Sequence, residues 1–316
     1  MRPPVTLVAA LIVVGGACTR LGFDPPQGPL DDTSRGDALA LADNAAGLSV
    51  VDGQHLDASH HDAPHVDAPR PDATGGKCAS LDTDTVLLLS FDQITGDKVP
   101  DSAGTQDGQL VGTQKTVAAP TGCGNALHIP GGLVAATYVL VPHDPAWDLK
   151  EGSLDFWVRF DAASSKQTTG IVGRDAMGTA FEGHITVLKA CDDAIVVRLQ
   201  RGGSDKYVCS DPIPSEAWTH VGLNFGPKTG LQLYVDGKLS QRTGTLQYTL
   251  GAQDPCGQTA NCDWNTTGGI DGNTNPWVIG GYVGRSSEGG YNNTEFGLAG
   301  AIDHFRLSKT TRSFSP

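Results

Sequence analysis

Residues 218–237 read WTHVGLNFGPKTGLQLYVDG. Val221, Leu223 and Phe225 alternate with Gly222 and Asn224. Gly226, Pro227 and Gly230 then punctuate the chain, and Leu231, Leu233 and Val235 alternate with Gln232 and Tyr234. A period of two on both sides of a turn predicts an antiparallel hairpin that buries one face of each strand. Asp236-Gly237 offers the positive-φ positions of a further tight turn.

The same signal recurs outward from this hairpin. In SLDFWVRF (153–160), Leu154, Phe156, Val158 and Phe160 share one face, while Asp155, Trp157 and Arg159 share the other. Short apolar runs at 86–91, 126–129, 138–141, 185–189, 195–199, 277–280 and 302–307 add further strands between Gly, Pro, Asn and Asp signals. With 41 glycines, 19 prolines and no long 3.6-residue periodicity, the chain is predicted to be all-β. The expected architecture is a two-sheet antiparallel jelly-roll sandwich over residues 78–316.

The N-terminal quarter is different. Residues 1–17 hold Arg2, an apolar run from Val5 to Val14, and small residues before Cys18. This reads as a signal peptide, too short for a spanning helix. The placement of Cys18 resembles a bacterial lipobox, with Gly15 where that motif usually has leucine. That implies a lipidated Cys18 as first mature residue and an exported, membrane-anchored lipoprotein, the anchor being its only membrane contact. Thr19 in place of aspartate points to the outer membrane or cell surface. Residues 18–77 are read as a disordered tether: from Thr19 to Lys77 there are ten aspartates, four basic residues and no tryptophan or tyrosine. Too little apolar surface is present to repay the entropy of folding. Asp52, Asp57, Asp62, Asp67 and Asp72 recur at five-residue spacing, as in an extended, self-repelling spacer. His55, His60, His61 and His65 within it read as solvated.

Six cysteines remain: Cys78, Cys123, Cys191, Cys209, Cys256 and Cys262. An even number in an exported chain predicts disulfides. Pairing consecutive cysteines across hairpins and loops gives 78–123, 191–209 and 256–262. A net charge of −13 disfavours nucleic acid as a partner. No nucleophile elbow, P-loop, dinucleotide fingerprint or HExxH motif is present.

The order of nine short stretches resembles the laminin G-like jelly rolls of the concanavalin A-like lectin and glucanase superfamily. They are LLLSFD (87–92), DSAG (101–104), ALHIPGG (126–132), YVLVP (138–142), SLDFWVRF (153–160), EAWTHVGLNF (216–225), LQLYVDGKL (231–239), WVIGG (277–281) and LAGAIDHFRLS (298–308). The resemblance implies a binding module for a polysaccharide or other glycan, or for a surface protein. It also implies a structural calcium, for which Asp92, Asp101 and Asp303 are the candidate ligands. His304 stands where the family usually has glutamate, and the turn after Asp101 is short. No E-x-D-x-x-E run supplies the paired carboxylates of the family's glucanases, so no catalysis is expected. The outward residues Trp157, Arg159 and Tyr234, and the loop residues Trp264, Tyr291 and Asn292, are the candidate ligand contacts. Aromatic floors flanked by polar groups suit sugars, and loops on rigid scaffolds carry binding sites. The competing readings are an adhesion module that contacts protein alone and a divergent glycoside hydrolase.

Overall fold

The computed structural model describes residues 70–71, 81–104, 106–122, 124–134, 137–164, 167–175, 182–248, 256–263, 267–284 and 293–314. In chain order the strands begin with β1 (Arg70–Pro71), β2 (Thr85–Leu89), β3 (Lys98–Val99), β4 (Gly108–Val111), β5 (Thr116–Ala118), β6 (Asn125–Val134) and β7 (Tyr138–Val141). They continue with β8 (Gly152–Phe160), β9 (Thr169–Arg174), β10 (His184–Lys189), β11 (Ala194–Arg201), β12 (Ser204–Pro212), β13 (Thr219–Phe225) and β14 (Gln232–Val235). The last are β15 (Lys238–Leu239), β16 (Gly244–Tyr248), β17 (Gln258–Cys262), β18 (Trp277–Ile279), β19 (Tyr282–Gly284), β20 (Asn293–Ser308) and β21 (Arg312–Ser313).

Two sheets enclose the core. One has ten strands in the order β16-β17-β12-β11-β10-β9-β18-β7-β4-β3. The other has nine, running β15-β14-β13-β8-β20-β6-β5, with β2 and β19 also paired to β20. The hairpin β13–β14 pairs Val221 with Val235 and Leu223 with Leu233. Gly230 N donates to Gly226 O (3.1 Å) in its turn. Asp236 (φ 47°) and Gly237 (φ 72°) form the two-residue turn into β15, where positive φ at both positions matches the strand twist. Leu154, Phe156, Val158 and Phe160 are buried in the core with Val221, Leu223, Phe225, Leu231 and Leu233. Ile185, Val187, Ile195, Val197 and Leu199 meet them from the ten-stranded sheet.

A second apolar cluster lies on the outside of that sheet. Leu188, Ala190, Ala194 and Val196 point away from the core and are covered by Leu246, Tyr248 and Ala260 of the β16–β17 hairpin. Two disulfides fix this cover, Cys191 to Cys256 (Cα–Cα 6.0 Å) and Cys209 to Cys262 (5.5 Å). The consecutive pairings 191–209 and 256–262 are therefore incorrect. Cys209 pairs in register with Val196, while Cys191 lies in the turn before β11. Cys256 precedes β17 and Cys262 ends it, with the extended strand between them, and each is bonded to a cysteine of the underlying sheet and its turns instead. Non-reducing peptide mapping should recover the 191–256 and 209–262 links. Opening either one should lower stability by about 2–4 kcal/mol in a chemical melt. Cys78 and Cys123 lie outside the described residues, as does the lipidation candidate Cys18.

Candidate functional site

The outer face of the nine-stranded sheet collects most of the residues singled out from the alternation. Trp157 stands in register with His220 on one side and Asp303 on the other. Its ring lies 5.1 Å from that of His220, which in turn lies 5.8 Å from Phe314. Tyr234 also meets Phe314, at 5.2 Å. The C-terminal segment thus covers this half of the face. Gly222 makes room for it, since a Cβ there would fall 2.5 Å from the Phe314 ring. Trp157 and Tyr234 are half-buried.

One row further along, the face is more open. The guanidinium of Arg159 lies 5.4 Å from the centre of the Trp218 ring, a cation–π contact. Trp218 directly precedes β13, opposite Arg159. It packs with Val117 against a floor of Ala119, Ala126 and Ala301. Trp218 was not among the candidates read from the sequence. The signal was available: continuing the β13 alternation back by one step puts Trp218 on the face of His220 and Asn224.

Beneath the covered half lies a buried charge cluster. Arg306 grips Asp155 with two hydrogen bonds, Nε to Oδ1 at 2.8 Å and Nη2 to Oδ2 at 3.0 Å. His220 Nε2 approaches Asp155 Oδ2 at 3.3 Å. A register shift between Asp303 and Arg306, with His304 at φ 49°, turns both Asp303 and Arg306 outward. Burial by itself would raise the Asp155 carboxyl, but Arg306 and His220 hold it below the ordinary value.

The three acidic candidates do not converge. Asp303 is fully buried; its Oδ2 pairs with His304 Nδ1 (2.7 Å), and its Oδ1 has no hydrogen-bond partner. Burial pushes its carboxyl up to about 6 against the pull of His304, and the nearby Asp92 carboxylate adds to the push. Asp92 Oδ1 accepts from Asn125 N (2.8 Å) and sits where a side chain at Gly124 (φ 87°) would have to be, so glycine is required there. Asp101 stands apart: its Oδ1 takes the amides of Leu88 and Ala103, both at 2.9 Å, and it borders a cleft of about 330 Å³ with Asp144, Trp147 and Lys309. Burial raises its carboxyl, with Asp107 as its charged neighbour. Among the described residues no group of three or more His, Cys, Asp or Glu could hold a metal ion. Asp92 and Asp303 offer two carboxylates and one unpartnered buried oxygen, a partial fit to an oxygen-seeking cation.

The outer face of the ten-stranded sheet carries a second buried network. Asp175 Oδ1 meets His184 Nδ1 at 2.9 Å; its Oδ2 accepts from Thr186 Oγ1 at 2.7 Å and from Arg198. Asn275 Nδ2 reaches the other His184 nitrogen at 3.1 Å. Burial opposes ionisation of Asp175, yet His184, Arg198 and Thr186 hold its carboxyl below the ordinary range. Beside it, Tyr207 and Tyr248 share a 2.9 Å hydroxyl contact, and Gln200 Nε2 donates to Asp205 Oδ1 (2.8 Å). Trp264, Tyr291 and Asn292 lie outside the described residues.

Residues 130–272 match a laminin G family model described as the concanavalin A-like lectin/glucanases superfamily. Among solved structures, the binding domain of botulinum neurotoxin DC in complex with rat synaptotagmin II is similar, with a TM-score of 0.47 and 11% identity over 72% of this chain and 48% of that one. The binding domain of Paraclostridial Mosquitocidal Protein 1 gives a TM-score of 0.47 and 13% identity over 72% and 49%. Domain 4 of AbnA, an extracellular arabinanase from Geobacillus stearothermophilus, in complex with arabinotriose, gives 0.46 and 16% over 72% and 93%. The chain spans about half the length of the two toxin domains. No curated protein matches it. Residues 130–272 carry the match to the concanavalin A-like lectin/glucanase superfamily, and the all-β two-sheet sandwich that they form with the flanking strands has that superfamily's fold.

Proposed function

We propose that this chain is a non-catalytic, surface-displayed lipoprotein whose jelly roll binds a saccharide on the outer face of the nine-stranded sheet, at Trp218, Arg159 and Trp157. The observation that carries this reading is the half-exposed Trp218–Arg159 pair above a floor of alanines. An indole offers a flat apolar surface to the ring of a sugar, while a guanidinium donates to its oxygens. The buried carboxylates Asp155 and Asp175 are each bound to an arginine and a histidine, which supports a binding role over hydrolysis, a reaction that needs two carboxylates facing the substrate. Lipidated Cys18 and the tether of residues 18–77 would let the domain reach partners some tens of ångströms from a membrane, by random-coil scaling of about 5–6 Å times the square root of length.

The test is a saccharide panel read by titration. Saturable binding to at least one saccharide is expected, and Trp218→Ala should weaken it about tenfold, with the fold checked by melting, because an aromatic stacking contact is worth about 1 kcal/mol beyond its buried area. A blank panel with binding to a surface protein would move the assignment to a protein-contact module.

Calcium belongs to the same proposal, held by Asp92 and the free oxygen of Asp303 with backbone carbonyls and water, and without Asp101. The ion would favour the charged form of Asp303. In chelator that carboxyl carries a pH signature. Its folded pKa is raised, so on raising the pH above about 4 the unfolded chain ionises first. Stability therefore falls until about pH 6 and the penalty is constant above it. Asp303→Asn lacks this term. Its unfolding free energy should gain on the parent by up to ~3 kcal/mol across that window, and calcium should raise the melting temperature of the parent alone. Equal pH profiles for the two proteins would refute this account of Asp303.

A further inference from the structure

We propose that the saccharide is acidic, its carboxylate held by Arg159 with Lys115 as a second cationic contact; this rests on the saccharide-binding reading above. Ala301 pairs with Arg159 on one side and His128 on the other. His128 N donates to Lys115 O (2.8 Å), which continues the same row. Trp218, Arg159, Ala301, His128 and Lys115 therefore cross five neighbouring positions of the sheet. At about 4.8 Å per strand, Arg159 and Lys115 stand roughly 14 Å apart. Ala301 contributes only a methyl group to this row, between Arg159 and His128.

The charges in this row are unequally compensated. His128 Nε2 meets Asp161 Oδ2 at 3.0 Å. Arg159 makes no ion pair or hydrogen bond with a described residue; its charge contact is the Trp218 ring. Lys115 is exposed and likewise makes no ion pair with a described residue. Among the described residues this half-buried guanidinium has lost part of its hydration without gaining an anion, in a chain whose net charge is −13. A ligand carboxylate restores the balance. The planar fork of arginine donates two parallel hydrogen bonds to it, which a neutral hydroxyl cannot match. The ring that carries the carboxylate then lies against Trp218, and a later acidic unit of an extended polymer meets Lys115.

The experiment titrates the full chain with polygalacturonate, alginate and hyaluronate, each beside its methyl-esterified form, and with neutral galactan and dextran. At least one uronate polymer should bind tenfold or more tighter than its ester. Arg159→Gln should abolish that preference, Arg159→Lys should restore part of it, and Lys115→Gln should reduce it two- to threefold. Because Arg159 has no ion pair with a described residue to lose, only its contact with the Trp218 ring, Arg159→Gln should melt within a few degrees of the parent. Equal binding of acid and ester, or a preference unchanged in Arg159→Gln, overturns the proposal while the saccharide reading survives. Absence of binding to every polymer, acidic and neutral, overturns both. Binding of a polyglutamate peptide as tight as that of the uronate polymers overturns the saccharide class and assigns the row to an acidic protein partner.

Discussion

Replacing Asp155 with alanine is expected to lower the free energy of unfolding by about 3–5 kcal/mol, the cost of breaking a buried pair by removing one partner. Asp155 is fixed in β8 and receives both nitrogens of Arg306 from β20 and the ring of His220 from β13. The pair thus joins the three central strands of the nine-stranded sheet on the face away from the core. Removing the carboxylate leaves the Arg306 guanidinium buried at 2% exposure beside a histidine. Denaturant melts of Asp155→Ala and of the double variant Asp155→Leu, Arg306→Met check the account. The double variant should recover much of the loss, because an apolar pair carries no orphaned charge. A single variant within 1 kcal/mol of the parent would mean that the network contributes little.

Asp175→Ala should cost a comparable 3–5 kcal/mol on the opposite sheet. Asp175 is 1% exposed and is the acceptor for His184, Thr186 and Arg198 together, so its loss takes a partner from each of these three buried groups. Asp175→Asn keeps the shape and one acceptor oxygen, and should lie between the two. The pH dependence has a definite sign. The folded pKa is lowered, so the stabilisation is present above the ordinary aspartate range near pH 4 and is lost as the pH falls through the lower, folded value. Acid melts of the parent and of Asp175→Asn should converge at low pH. If they stay parallel, the carboxylate charge is not what holds the network.

Strands with one core face and one polar face were legible from alternation, as in β8, β13 and β14. Others were hidden. β9 (TGIVGR) contains two glycines and β12 (SDKYVCSDP) sends only Val208 into the core cluster, so neither writes an apolar stripe. β17 carries no apolar stripe because its sequence QTANC packs outside the main core, where Ala260 and Cys262 suffice. The disulfide pairing was hidden for the same reason: it follows from a hairpin that folds back over the sheet, a long-range event that the spacing of six cysteines does not encode. Arg174 is the extreme case. It is fully buried and bonds the carbonyls of Trp147, Ile270, Asn273 and Asn275, about 100 residues away for the last three. Burial pulls its pKa down to about 10 against Asp148. Backbone partners leave no residue pattern to read. At the site, strand parity puts Trp157, Arg159 and Tyr234 on one face, whereas the cover of Phe314 over Tyr234 and the pairing of Trp218 with Arg159 depend on long-range packing that parity does not encode.

A binding titration of the parent, Trp218→Ala and Trp157→Ala against the saccharide panel, with melting curves for all three, decides whether this face binds a saccharide. Saturable binding by the parent, weakened about tenfold in folded Trp218→Ala, is the predicted result. Saccharide binding left unchanged by both substitutions, or a folded parent that binds no saccharide, would contradict it.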